Sequence, residues 1–263
     1  MRSFDFTDAI VRLPGRSVVQ GILKDPAIIP EYDRVLSEHR AYVDALRGTG
    51  LNVEILPALE EFPDSVFVED PALVFSNGAI LLRPGTPTRL GESEAMRPVL
   101  QRRFGHLLEL RGEEYADGGD VLAVREDVFI GLSRRTTRQG AEALSRLLRQ
   151  LDCRATIVET PPGSLHLKSA VSLLDEETIL TSAPIAKSGL FPDTKMLVAP
   201  DEEPCVHALR INDVVFVPAH FPRAADLLAK NGYAVRTLQA AEIRKLDAGL
   251  PCMSLRWFDT ARQ

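Results

Sequence analysis

The sequence repeats one device, two short apolar runs joined by a polar turn with helical sequence between successive copies. It appears as DPALVFSNGAILLRP (70–84), DGGDVLAVREDVFIGLS (117–133), HLKSAVSLLDEETILTS (166–182) and CVHALRINDVVFVPAH (205–220). The turns centre on Asn77-Gly78, Arg125-Glu126-Asp127, Asp175-Glu176-Glu177 and Asn212-Asp213. Polar residues between strands that line a core predict hairpins. Helices are predicted in EYDRVLSEHRAYVDALRGTG, TRQGAEALSRLLRQL and RAADLLAKNGY, the first and last closed by glycines. The units recur about every 40 to 50 residues, a period that four-stranded propeller blades share, but such blades contain no helices. FDFTDAIVRLP near the start and PCMSLRWF near the finish each supply part of a fifth unit, and joining them closes a ring of five modules. The expectation is one closed α/β domain over residues 1–263, with Pro57, Pro63, Pro161, Pro162, Pro192 and Pro200 marking module edges.

Composition narrows the function. A chain of 263 residues with 45% apolar and 26% charged residues is ordinary globular material. Its net charge of −6 and lack of a long basic run give no footprint for a phosphate backbone, so nucleic acid is a poor partner. No apolar stretch reaches the roughly 18 residues of a membrane span, and MRSFDFTDAIVRLPG has acids where a signal peptide needs a basic and then apolar start. A cytoplasmic location without membrane contact is expected. Cys153, Cys205 and Cys252 form no CxxC pair, so neither a disulfide framework nor a zinc ribbon is encoded.

In a ring of repeats, equivalent positions converge near the axis. The residues that open the first strands are Glu69-Asp70, Asp117, His166 and Cys252. A thiol, an imidazole and carboxylates are the parts of a nucleophilic site, since Cys needs a base and the base an orienting acid. Singly, each has a bland reading: a buried small hydrophobe for Cys252, a structural histidine for His166, a tight turn for Gly118-Gly119. Their shared register favours chemistry. Cys153 reads as core and Cys205 as a lone thiol, with His207 beside it too little for a metal site; His39, His106 and His220 read as structural. In DSVFVED, alternation would bury some of Asp64, Glu69 and Asp70, which is costly without a cation. A guanidinium, whose N–H fork carboxylates bind bidentately, fits; a solvated acidic loop and a hard metal such as Mg²⁺ are the rivals, the metal without any phosphate-binding loop to accompany it.

PDSVFVEDPALV, RPGTPTR, DGGDV, FIGLSRRT, LHLKSAV and CMSLRW, in that order, resemble the dimethylarginine dimethylaminohydrolases of the guanidine-modifying (amidinotransferase) superfamily, from VRLPGRSV to the terminal tryptophan. The resemblance implies a five-bladed α/β propeller, the pentein fold, with pseudo-fivefold ββαβ repeats. It places the nucleophile on Cys252, the general acid/base on His166 and the orienting acid on Asp117. It places guanidinium binding on Asp64 and Asp70 with Glu69 between them, the α-carboxylate on Arg89 and Arg135, and a lid on RSVVQGILKDP with Ile22 as its apolar gate. Two departures are visible: Asp117 stands where some relatives have Glu, and AGLPC replaces GGLSC, so Pro251 and Ala248 alter the approach to the nucleophile. The implied activity is hydrolysis of Nω-methylated arginines to citrulline and an amine, with neither metal nor organic cofactor. Arginine deiminase, another guanidine hydrolase, an amidinotransferase and a non-catalytic scaffold of the same fold remain alternatives. A small-molecule substrate is the expected partner, and a homodimer stays open.

Overall fold

A computed structural model describes residues 2–160, 163–191, 194–198 and 207–260. Cys205 and the prolines at 161, 162, 192 and 200 lie outside the described residues. Five three-stranded sheets are arranged by one rule: the middle strand pairs antiparallel with the strand before it and parallel with the strand after it. The second blade shows the pattern. β3 (Ala72–Phe75) turns through Ser76 and Asn77 into β4 (Gly78–Leu81), helix α2 (Leu90–Arg103) crosses over, and β5 (Leu107–Glu109) pairs parallel with β4. The third runs β6 (Val121–Val124), β7 (Asp127–Leu132), α3 (Arg138–Arg149), β8 (Arg154–Glu159); the fourth β9 (Val171–Asp175), β10 (Thr178–Thr181), α4 (Ala183–Ser188), β11 (Lys195–Val198). The fifth runs β12 (Leu209–Ile211), β13 (Val214–Pro218), α5 (Pro222–Lys230), β14 (Ala234–Leu238).

The expected closure of the ring is present. β1 (Asp8–Arg12) pairs antiparallel with β15 (Leu255–Trp257), with Asp8 opposite Trp257, and after α1 (Tyr32–Arg47) β2 (Asn52–Leu56) pairs parallel with β1. All four predicted hairpins form. Two of them turn through Arg125 at φ 55° and Asn212 at φ 52°, the left-handed conformation that a two-residue hairpin turn requires.

Each crossover helix buries one face. In α3, Thr137 accepts the Gly140 N–H at 3.0 Å and so caps the helix, while Ala141, Leu144 and Leu148 are fully buried against the sheet. Each such leucine contributes roughly 1.5–3 kcal/mol. Helix α2 was absent from the sequence prediction because Pro98 within it and a mixed charged sequence hide its period. A short helix α6 (Ala241–Lys245) leads to the 3₁₀ turn Leu250–Met253; Glu38 of α1 accepts the N–H groups of Glu242 and Ile243, which anchors the first turn of α6. Among the described residues no helix is long and apolar enough to cross a membrane.

Candidate active site

The first strands begin around the axis, and short turns present the functional side chains just before them. Cys252 sits in a 3₁₀ turn, Leu250–Met253, ahead of β15; Pro251 fits because its fixed φ suits a first helical turn. The Cys252 N–H donates to the Gly249 carbonyl at 3.2 Å, and the Glu69 N–H donates to the Cys252 carbonyl at 3.2 Å. His166 precedes the turn Leu167–Ser169 ahead of β9, and Asp117 precedes Gly118–Asp120 ahead of β6. Cys252, His166, Asp64, Asp70, Arg89, Arg135 and Ile22 line one small pocket of about 30 Å³.

His166 Nε2 lies 3.0 Å from Asp117 Oδ2, and Asp117 is itself fixed by accepting the Gly85 N–H at 2.7 Å. Burial opposes charge on the imidazole, but the Asp117 hydrogen bond and the nearby charges of Asp70, Asp117 and Asp120 outweigh it and lift the pKa to about 9. Burial pushes the Cys252 thiol up to about 12, and the charges of Glu69 and Asp70 add to the effect. At neutral pH the empty site therefore holds a thiol beside an imidazolium.

The Gly118-Gly119 pair does more than turn the chain. A β-carbon on Gly118 would lie 2.0 Å from the Glu69 carbonyl oxygen, and one on Gly119 would lie 2.5 Å from His166 Nδ1. Both positions require glycine for close approach.

Of the three acids expected to bind a guanidinium, Asp64 and Asp70 line the pocket and Glu69 does not. Its carboxylate turns to the far side, where Lys168 Nζ at 2.7 Å and Arg256 Nη2 at 3.0 Å both reach Oε1. Glu69 and Asp70 are neighbours in the turn ahead of β3, and the turn sends their side chains to opposite sides. Arg89 also differs from a free carboxylate receptor. Its Nε and Nη2 bind Glu92, Nη1 reaches Asp70 Oδ2 at 2.5 Å, and Nη2 also reaches the Phe67 carbonyl at 3.0 Å, all of it buried. Although burial raises the pKa of Asp70, Arg89, His166 and the Gly119 N–H at 3.0 Å together bring it down to about 2. Asp70 is thus held rigid and ionised. Arg135 contacts Thr86 and lies 3.8 Å from Asp117. Ile22 donates its N–H to Asp64 Oδ1 at 3.0 Å, which ties the segment around Ile22 to Asp64.

Ligand atoms of Asp70, Asp117 and His166 lie within 4.8 Å of one another. A metal there would have to displace Arg89 from Asp70 and break the His166–Asp117 bond. Cys153 packs in the core beside Leu144 and Leu148, its thiol pushed up to about 11 by burial. His39 is buried in α1, while His106 and His220 are exposed outside the pocket. Three residues the sequence reading passed over are Glu92, Lys168 and Arg256, and His207 was weighed only as a metal ligand. Glu92 had a signal, its i, i+3 spacing from Arg89. His207, just before β12, lies where Gly249 has no side chain, and burial lowers its pKa to about 4.

A family model described as arginine deiminase matches residues 57–202. The N(G),N(G)-dimethylarginine dimethylaminohydrolase of Pseudomonas aeruginosa is 34% identical over 96% of this chain and 100% of its own. The chain belongs to the dimethylarginine dimethylaminohydrolase family. The Streptomyces coelicolor member is 31% identical over 94% of this chain and 96% of its own. The solved Pseudomonas aeruginosa structure, a Cys→Ser variant complexed with citrulline, superposes with a TM-score of 0.93 at 33% identity, covering 96% of this chain and 100% of that one. The pentein fold expected of the family is the fold described above.

Proposed function

We propose that this protein hydrolyses asymmetric dimethylarginine and monomethylarginine to citrulline, releasing dimethylamine or methylamine, and that residues 1–263 form one catalytic domain for it. The observation that carries the reading is the pocket in which Cys252, an Asp117-held imidazole and the ionised Asp70 converge in a chain that matches a dimethylarginine dimethylaminohydrolase along its length.

Asp64 and Asp70 hold the substituted guanidinium, Asp70 through lone pairs left beside Arg89 and Gly119. Arg135 takes the substrate's α-carboxylate, with Arg89 acting through Asp70. A pocket of about 30 Å³ has no room for such a substrate, so the segment around Ile22 swings away for entry and closes over it. The bound cation offsets the negative charge of Asp70 and lets the thiol release its proton to solvent. The thiolate attacks the central guanidinium carbon, and the imidazolium of His166 protonates the departing amine. An amidino-thioether remains on Cys252. His166, now neutral, takes a proton from water; the hydroxide adds to the same carbon, and collapse breaks the C–S bond to give citrulline and free Cys252.

The test is citrulline and amine release from asymmetric dimethylarginine, monomethylarginine and arginine offered in parallel. Turnover of the methylated substrates supports the proposal; turnover of arginine alone moves the assignment to a deiminase, and no turnover of any of them sinks it.

Two further results are expected. Gly119→Ala places a methyl against His166 Nδ1, and a displaced acid/base should lower kcat on the order of 10²-fold while the far-ultraviolet circular dichroism is unchanged. Iodoacetamide modification of Cys252, read by peptide mass mapping of the empty enzyme, should keep accelerating above pH 10. A plateau already reached below pH 8 would show a preformed thiolate instead.

A further inference from the structure

A second cavity of about 500 Å³ lies at the turn end of the first strands, where all five blades line it through residues such as Leu73, Leu122, Leu173, Leu209 and Leu255. This is the size of a small-molecule site. Three chain segments part it from the thiol pocket, and each shows one residue to either side: Asp70 and Glu69, His166 and Lys168, Cys252 and Ser254. At this partition Lys168 Nζ, 2.7 Å away, and Arg256 Nη2, 3.0 Å away, both bind Glu69 Oε1. The acid lies beneath its partners, its side chain 6% exposed against 17% for Lys168 and 12% for Arg256. What the floor shows to the chamber is therefore cation.

The other charges around the chamber are engaged elsewhere. Arg2 and Asp5 bind each other at 2.7 Å, and Arg2 also reaches Asp213. Arg210 donates to the Leu174 and Asn212 carbonyls and lies 3.8 Å over the Phe4 ring. Arg125, Glu126 and Asp152 are exposed, where solvent screens them. In all, five cations and four carboxylates line the chamber, which leaves one positive charge in excess. That excess falls at the floor, where two cations share one acid and the Lys168 ammonium keeps two N–H donors beyond the one turned to Glu69. A hydrocarbon alone would cover those donors and leave them unsatisfied. An ammonium would meet two cations, and a dianion such as a phosphate monoester would bring a second negative charge beside Glu69 with no cation to offset it. A single carboxylate matches both the charge and the donors, and the leucine-lined walls suit an apolar body. We propose that this chamber binds an apolar monocarboxylate, its carboxylate on the Lys168 ammonium beside Arg256 and its hydrocarbon among the leucines.

The probe is octanoate titrated into the methyl-labelled full chain, with octanol and octylamine as analogues that keep the hydrocarbon and change the head. Octanoate should give saturable shifts at the Leu173 and Leu209 methyls with Ile22, in the thiol pocket, unmoved. Octanol should bind at least about tenfold more weakly, the worth of one charge-assisted hydrogen bond, and octylamine more weakly still. Lys168→Met should weaken octanoate by about the same factor and leave octanol no weaker. Leu173→Trp, which fills the chamber from its wall, should abolish the shift at Leu209. Octanol binding as tightly as octanoate, Lys168→Met binding octanoate like the parent, shifts confined to Ile22, or no shift at all would each overturn the assignment. The readout needs no turnover, so its failure leaves the hydrolase reading untouched.

Discussion

Cys252→Ser is expected to fold like the parent and lose at least about 10⁴-fold in kcat, in line with the removal of a nucleophile that works as part of a coupled set. The exchange of sulfur for oxygen at a half-buried position in a 3₁₀ turn disturbs no packing of consequence. The hydroxyl is a poorer nucleophile, and His166 is already protonated at neutral pH and cannot relieve it of its proton. Because Asp64 and Asp70 remain, substrate should still bind, so the loss falls on kcat and not on KM. Rapid quenching followed by intact mass measurement gives a second check: the parent should show a covalent adduct during turnover and the variant none. Activity within 100-fold of the parent would place the nucleophile elsewhere.

Arg89→Ala is expected to cost about 3–5 kcal/mol of stability, the usual result of stripping one partner from a buried ion cluster. Among the described residues Arg89 is the buried cation paired with both Asp70 and Glu92, and burial already raises the Glu92 carboxyl to about 7 against the pull of the guanidinium. Without Arg89 both carboxylates favour their neutral forms in the folded state more than in the unfolded one. The sign follows: the penalty is greatest at neutral and higher pH and shrinks as pH falls and the two groups protonate. Urea unfolding at pH 5 and pH 8 measures it. Arg89→Lys should recover little, because one ammonium cannot reproduce a fork that binds two carboxylates and a carbonyl. A loss below about 1 kcal/mol at pH 8 would mean that something else keeps these acids charged.

The blades were legible because a hairpin announces itself locally: two apolar runs and a polar turn carry their own evidence, and even the split blade showed its halves at either end of the sequence. The residues ahead of the first strands were legible for a related reason, since a repeat puts equivalent positions in one place. Direction was harder. Glu69 and Asp70 are adjacent and chemically alike, and only the local backbone decides that one faces the thiol and the other faces Lys168. The resemblance assigned Arg89 to a substrate carboxylate, but the start of α2 brings Glu92 to it and tertiary structure brings Asp70, so its guanidinium is bound by two carboxylates of the protein. Gly118-Gly119 read as a turn because a sequence does not show what lies 2.5 Å from a missing methyl.

Four blades are each stitched from one run of sequence, but the blade that carries Cys252 is not. Asp8 meets Trp257 across almost the whole chain, so among the strand pairings of the described residues this one has the steepest loop-closure cost. The same seam is the natural place for the ring to open. Transient release of β15 would carry Cys252 away from His166 and Asp70 while the remaining sheets kept their hydrogen bonds, so the enzyme can lose its chemistry well before it loses its shape.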